Sequence, residues 1–296
     1  MKKIISLVLV SALVFSMSLT AAFADIAGAT AQPTVYVIKV SAHDLKVTSI
    51  EKKIINDYGT FLQNKLKAAQ PSEYETILAA ELKKSQGEID ELFDKKLSSV
   101  ASKNVSNMRI SKEKIIQRNG TVKLEMDQDA LIGNTYTYPI SEQASIEISP
   151  NGVALEIVGS RPVSISANNT KAINVTKATT GYAEKTLYRG GNKKARINMS
   201  ANFYYNNVKA WYKDSLKGNT TVFHEDWRER INTLAVHQSY YSSTDKSHWA
   251  WADAKFDHYD RLWAGMQYVI VETVFLFAGV ICDKNGNCTQ VSEQAL

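Results

Sequence analysis

Apolar residues recur at two spacings along this chain, and the change of spacing divides it. Between residues 50 and 100 they fall three and four apart. Ile50, Ile54, Ile55, Tyr58, Phe61, Leu62 and Leu66 form one stripe, and Tyr74, Ile77, Leu78, Leu82, Ile89, Leu92, Phe93, Leu97 and Val100 form a second. That period presents one side of a helix to a core. Pro71 separates the stripes, because the residue before a proline resists helical geometry. Ser72-Glu73-Tyr74-Glu75 has the form of a capping box opening the second helix. The pattern predicts a helical hairpin over 49–103, packed on the protein's own sheet.

After Lys103 the period shortens to two, in the runs Thr121–Met126, Thr135–Ile140, Ala144–Ser149, Val153–Val158, Val163–Ala167 and Ile173–Thr176. Such alternation marks strands with one buried face. Thr34–Val40 reads the same way. Asn151-Gly152 and Gly190-Gly191-Asn192-Lys193 are tight-turn signals between strands. The second of these turns gathers Arg189, Lys193, Lys194 and Arg196, and is expected to be solvated.

The last apolar run, Tyr268 to Cys282, breaks the alternation. Ile270, Val274, Leu276 and Val280 would lie on one face, and Val269, Val271, Phe275, Phe277 and Ile281 on the other. A strand apolar on both faces needs cover on both. The helical hairpin and a second sheet are the expected covers. Fifteen residues would span about 50 Å, so a bulge is expected at Ala278-Gly279. A membrane helix over 262–281 competes with this reading, but Glu272 and the β-branched residues oppose it. Lys284-Asn285-Gly286 suits a three-residue loop, which places Cys282 opposite Cys288 and predicts a cross-strand disulfide.

The expected fold is therefore α+β. A leader and short strand at 25–48 and the helical hairpin at 49–103 precede a mainly antiparallel β domain over 104–296. That domain is of sandwich type and ends in the disulfide-stapled β-hairpin.

Composition adds a location. Lys2 and Lys3, the apolar stretch Ile4–Phe15 and Ala22-Phe23-Ala24 form an export signal over 1–24. Without the two signal lysines the chain carries 33 basic and 30 acidic residues, a net charge of about +3. So small an excess excludes nucleic acid as an expected partner, and membrane contact is not expected either. The location predicted is extracellular or cell-envelope associated.

Candidate chemistry is concentrated in residues 203–268, which hold 15 of the 28 aromatic residues, all five tryptophans and four of the five histidines. Two strands are predicted there, about 232–240 and 248–256, joined by the polar turn 241–247. If the Ala250–Ala252–Ala254–Phe256 face meets the core, His237, Trp249, Trp251 and Asp253 share the outer side. Flat rings flanked by hydrogen-bonding groups suit a carbohydrate, so cell-wall polysaccharide or another glycan is the expected partner of a non-enzymatic binding protein. A one-residue slip would bury the tryptophans in the core instead, which is where tryptophan is more often found.

A hydrolase using His224-Glu225-Asp226, His237, His248 and Asp257-His258-Tyr259-Asp260 is the alternative. A membrane-active, toxin-like protein is the third reading, from the Ser/Thr-rich alternating runs. No His-Glu-x-x-His spacing and no phosphate-cradling glycine loop occurs, so neither metal nor cofactor is expected. Ser49–Lys52 and Ser111–Lys114 lack the partner motifs of a serine acyl enzyme.

Overall fold

The computed structural model describes residues 35–85, 88–107, 121–126, 128–163, 177–239, 246–260 and 269–291. The expected export signal, the runs Val163–Ala167 (after its first residue) and Ile173–Thr176, and the turn 241–245 fall outside the described residues. The fold is mixed α+β, mostly strands in two sheets with few helices.

In chain order, β1 (Val35–Val40) leads to α1 (Ser49–Lys67), a 3-10 turn (Pro71–Glu73), α2 (Tyr74–Lys84) and α3 (Glu88–Asn107). Then come β2 (Thr121–Met126), α4 (Gln128–Ile132), β3 (Tyr136–Ser141), β4 (Ala144–Ser149), β5 (Gly152–Val163), β6 (Lys177–Arg189) and β7 (Asn192–Tyr205). The chain continues with β8 (Ala210–Val222), β9 (Trp227–Glu229), β10 (Ala235–Ser239), β11 (His248–Asp260), β12 (Val269–Cys282) and β13 (Cys288–Gln290).

Strands β3 to β8 form a six-stranded antiparallel meander, each strand beside the next in sequence. Short turns join its strands except β5 and β6, which are separated by residues 164–176, outside the described residues. At the β6–β7 turn, Gly190 and Gly191 take φ of 57° and 72°, which glycine adopts without a Cβ clash. The other sheet runs β1-β2-β12-β11-β10, with β9 and β13 on its flanks. Here β1, β2 and β12 are parallel, which only long crossovers permit, and the helices fill the first of them. The expected antiparallel pairing is therefore mixed in this sheet.

The meander has two covered faces. Ile146, Ile148 and Leu155 pack with Ile55, Leu62, Leu66 and Leu78 of the helices. On the other side Leu187, Ile197, Met199 and Phe203 pack with Ala250, Ala252, Phe256, Val274, Leu276 and Val280 of β11 and β12. A third cluster seats Leu97 and Val100 of α3 on Val122 and Leu124 of β2. The helices thus cover the meander and the β1–β2 edge, and do not cover the outward face of β12 as the sequence pattern suggested.

Other expectations change as well. The second helix is two, since α2 closes at Ser85, whose hydroxyl donates back to Glu81 O at 3.0 Å. Its sequence continuation, Gln86-Gly87, includes the residue least suited to a helix interior after proline. The Ser72–Glu75 box is absent. Thr48 and Glu51 form the capping box of α1 instead, and Glu75 turns to Lys193 and Arg196 of β7. The basic turn is consequently neutralised by helix carboxylates.

No bulge interrupts β12: residues 270 to 282 pair with 260 down to 248 of β11 without a register shift. A strand of this length stays straight in register because its partner is as long. This extended pairing also rules out a membrane helix over the described part of 262–281, and among the described residues no helix is long and apolar enough to cross a membrane.

The hairpin after β12 is as expected in register, with Cys282 opposite Cys288 and Gly286 at φ 83°. The disulfide is not there. The cysteines stand 3.9 Å apart as free thiols, far beyond a bonded S–S distance of about 2.05 Å. Both are buried and behave as small apolar side chains in the intersheet core. The turn holds without the bond, because Asp283 accepts from the backbone of Asn285 at 2.8 Å and of Asn287 at 2.9 Å.

Candidate functional site

The alternation of β11 places its alanines and its tryptophans on opposite faces. Ala250, Ala252, Ala254 and Phe256 are buried against the meander, while Trp249, Trp251 and Asp253 are half-buried on the outward face. Small residues inward let the two sheets approach, which is why the register settles this way and not one residue along. Opposite them lie Ser239 against Trp249, His237 against Trp251 and Ala235 against Asp253 on β10.

All four candidate residues therefore share one outward surface. His237 Nε2 is 3.0 Å from Asp253 Oδ1, and its ring stacks on Trp251 with centroids 5.2 Å apart at 25°. Burial holds the Asp253 carboxyl above its ordinary value, although His237 pulls the other way. On β12, Gly279 lies opposite Trp251 and Ile281 opposite Trp249. A Cβ on Gly279 would stand 3.1 Å from Trp251 Cβ and 3.0 Å from the Phe277 ring. The absence of a side chain there lets the Trp251 side chain lie close to the sheet. Further along the same face, Arg230 pairs with Asp257 at 3.4 Å and Glu125 at 3.3 Å, and Lys123 pairs with Glu125 at 3.4 Å.

Among the described residues, the other tryptophans and histidines do not join this surface. Trp227 is buried and stacks on His258 at 4.7 Å. Trp211 of β8 tilts on Tyr204 of β7, with Lys209 over its ring. Trp263 and Tyr240 lie outside the described residues. His224 pairs with Asp226 at 3.2 Å in an exposed loop. His248 faces inward, where burial lowers its pKa, and its Nε2 lies 3.1 Å from the accepting Gln238 Oε1. His258 is ten residues along the same strand, about 33 Å away in an extended chain. The histidines and acids of 224–260 are thus spread over both faces, and among the described residues no group of three metal-ligating side chains converges.

A second polar centre escaped the sequence pattern. Arg189, from the supposedly solvated turn, is buried and donates to Glu272 Oε2 at 2.6 Å and to Asp94 of α3. His258 Nδ1 lies 3.5 Å from the same Glu272 oxygen. Burial alone would raise the Glu272 carboxyl, but Arg189 and His258 outweigh it and hold it at about 2. Asp94 goes the other way: burial raises it to about 6 against the pull of Arg189, with Glu272 and Asp90 adding to the rise, even though its side chain is 33% exposed. The signal for this centre was Glu272 itself, an acid within an apolar strand that has to find a cation.

Comparison of the chain with protein-family models, with curated proteins and with solved structures gives no match.

Proposed function

We propose that this chain is a secreted, non-enzymatic binding protein that engages cell-envelope or extracellular carbohydrate through the outward face of β10, β11 and β12. In this reading the two facing sheets form a β-sandwich that serves as a rigid support. One observation carries the proposal: Trp251, stacked on His237, which is itself bonded to Asp253, sits beside Trp249 on an outward face instead of in the core. Sugars offer apolar C–H faces to flat rings and hydroxyls to carboxylate and imidazole, so the combination matches their chemistry. Rotation of His237 is limited by its contacts with both Trp251 and Asp253, which keeps the surface preorganised.

The test is retention of the purified protein on insoluble peptidoglycan and on insoluble polysaccharides, compared with Trp249→Ala and Trp251→Ala. Each substitution is expected to weaken retention at least tenfold while leaving the circular dichroism spectrum unchanged. Failure of the unaltered protein to bind any of these polymers, or equal retention of the folded variants, would refute the proposal.

A further inference from the structure

The helices pack on only part of the meander. They close it over Ile146, Ile148, Leu155 and Tyr188, but farther along β5 to β8 the same face carries a second group of half-buried rings, Tyr182, Tyr204 and Trp211. Residues two apart on a strand share a face, so the register sets out rows of side chains across the sheet. The middle row runs Arg161, Thr180, Asn202 and Asp214. Thr180 Oγ1 donates to Asn202 Oδ1 at 2.7 Å, and Asn202 Nδ2 donates to Asp214 Oδ1 at 2.9 Å. In the row on one side Tyr204 lies beside Trp211, with ring centroids 5.7 Å apart. In the row on the other side Tyr182 lies across Gly159, where the missing side chain leaves room for the ring. A line of hydrogen-bonding groups is therefore flanked by flat rings.

The charge of this face is positive. Arg161, Lys209, Lys213 and Lys217 stand on it or at its rim, against the single carboxylate of Asp214. Glu184, nearer the helices, is balanced by Arg196 at 3.3 Å. Arg161 Cζ lies 5.2 Å from the centre of the Tyr182 ring, and Lys213 Nζ 5.0 Å from that of Tyr204. Among the described residues no carboxylate pairs with Arg161 or Lys213. The rings hold these cations in place without neutralising them, so little order is lost when an anion arrives. Sugars bring apolar faces for the rings and hydroxyls for the Thr180–Asn202 row, and an acidic sugar also brings the anion. Single-stranded DNA would draw on the same charges and rings, but it lacks the hydroxyls for that row.

We infer that this face of the meander binds an acidic polysaccharide, with sugar hydroxyls over Thr180 and Asn202, the rings of Tyr182, Tyr204 and Trp211 alongside, and carboxylates at Arg161 and Lys213. The surface belongs to the other sheet from Trp251 and stands independently of the function proposed above. No covalent step is involved.

Polygalacturonate and its methyl ester, alike in sugar and different in charge, are the probes, titrated calorimetrically into the full chain at neutral pH and low ionic strength. Polygalacturonate is expected to bind saturably and about tenfold more tightly than the ester, an advantage that shrinks as salt is added. Arg161→Gln with Lys213→Gln is expected to remove that advantage. Lys39→Gln with Lys53→Gln, the same loss of charge at exposed positions of β1 and α1, is expected to keep it. Trp211→Ala is expected to weaken binding of both polymers, and the charge variants decide the matter if it does not fold. No saturable binding, equal binding of polygalacturonate and ester, or polygalacturonate binding unchanged by the folded variants on this face overturns the inference. An equal loss in the two double variants, or tighter binding of an oligodeoxythymidylate, overturns it as well. Retention on insoluble polymers through Trp249 and Trp251 is scored separately, so either reading can fail alone.

Discussion

Glu272 shows how much one side chain can decide. It is 2% exposed in a strand of apolar neighbours, and it is tolerated because Arg189 meets it. Glu272→Gln leaves Arg189 with Asp94 as an ionic partner but removes its more deeply buried one, so it is expected to cost about 1–3 kcal/mol at pH 7, read by urea unfolding. The pH dependence has a definite sign. The folded carboxyl titrates at about 2 against an ordinary 4.5, so the stabilisation is complete above about pH 4.5 and is lost as pH falls towards 2. The stability gap between the unaltered protein and Glu272→Gln should narrow over that interval, and a gap independent of pH would contradict the pairing. Gly279 makes the converse case, where absence of a side chain matters. A methyl group there would crowd the Cβ atoms of Trp251 and Val291, each 3.1 Å away. Gly279→Ala is expected to cost about 1–3 kcal/mol by overpacking, measured as a lowered urea midpoint.

At the scale of elements, periodicity carried far. The 3.6-residue stripe and the twofold alternation located α1, β2, β4 and β11, because each of those segments buries one consistent face, and β12 was legible from a β-branched run that is apolar on both faces. The turn at Lys284-Asn285-Gly286 was legible from its glycine. What the pattern did not contain was which face meets which neighbour. Ile50, Ile54 and Phe61 belong to the stripe of α1 by spacing, yet they remain exposed, since only the Ile55–Leu62–Leu66 edge reaches the meander. Burial of Arg189 was hidden for the same reason, as its partners are 83 and 95 residues away. The outward position of the tryptophans depended on a register that alternation alone left open, and packing of the alanine face resolves it. The cysteine pairing was right in register and wrong in chemistry. Titration of the denatured protein with a thiol reagent, without prior reduction, should therefore find two reactive thiols, and reductant should leave the melting temperature of the native protein unchanged. Zero reactive thiols would restore the bond.

For the whole molecule, the meander is the shared layer. It receives the helices on one face and the other sheet on the opposite face, so neither cover is independent of it. Leu78→Ala empties a fully buried position among the helices and is expected to cost about 2–5 kcal/mol. All five tryptophans lie after residue 210, far from that position in sequence. Unfolding followed by tryptophan fluorescence should nevertheless shift as much as unfolding followed by far-ultraviolet dichroism. A shift in the dichroism alone would mean that the helices melt separately.

The parallel pairing of β2 with β12 has a consequence for how the molecule comes into being. Thr121 of β2 sits beside Val269 of β12, so nearly half the chain intervenes between two neighbouring strands. β12 also pairs with β11, and the strand that joins both halves of its sheet is made long after β1 and β2. The meander, built from strands adjacent in sequence, closes far shorter loops and should form first, whereas β1 and β2 must wait for β12. Pulse-labelled hydrogen exchange during refolding should record protection in β4 to β7 before protection in β1 and β2. Until β12 arrives, the early product is an unfinished layer with its apolar side open, and the time to completion is set by the slowest and most distant pairing in the molecule.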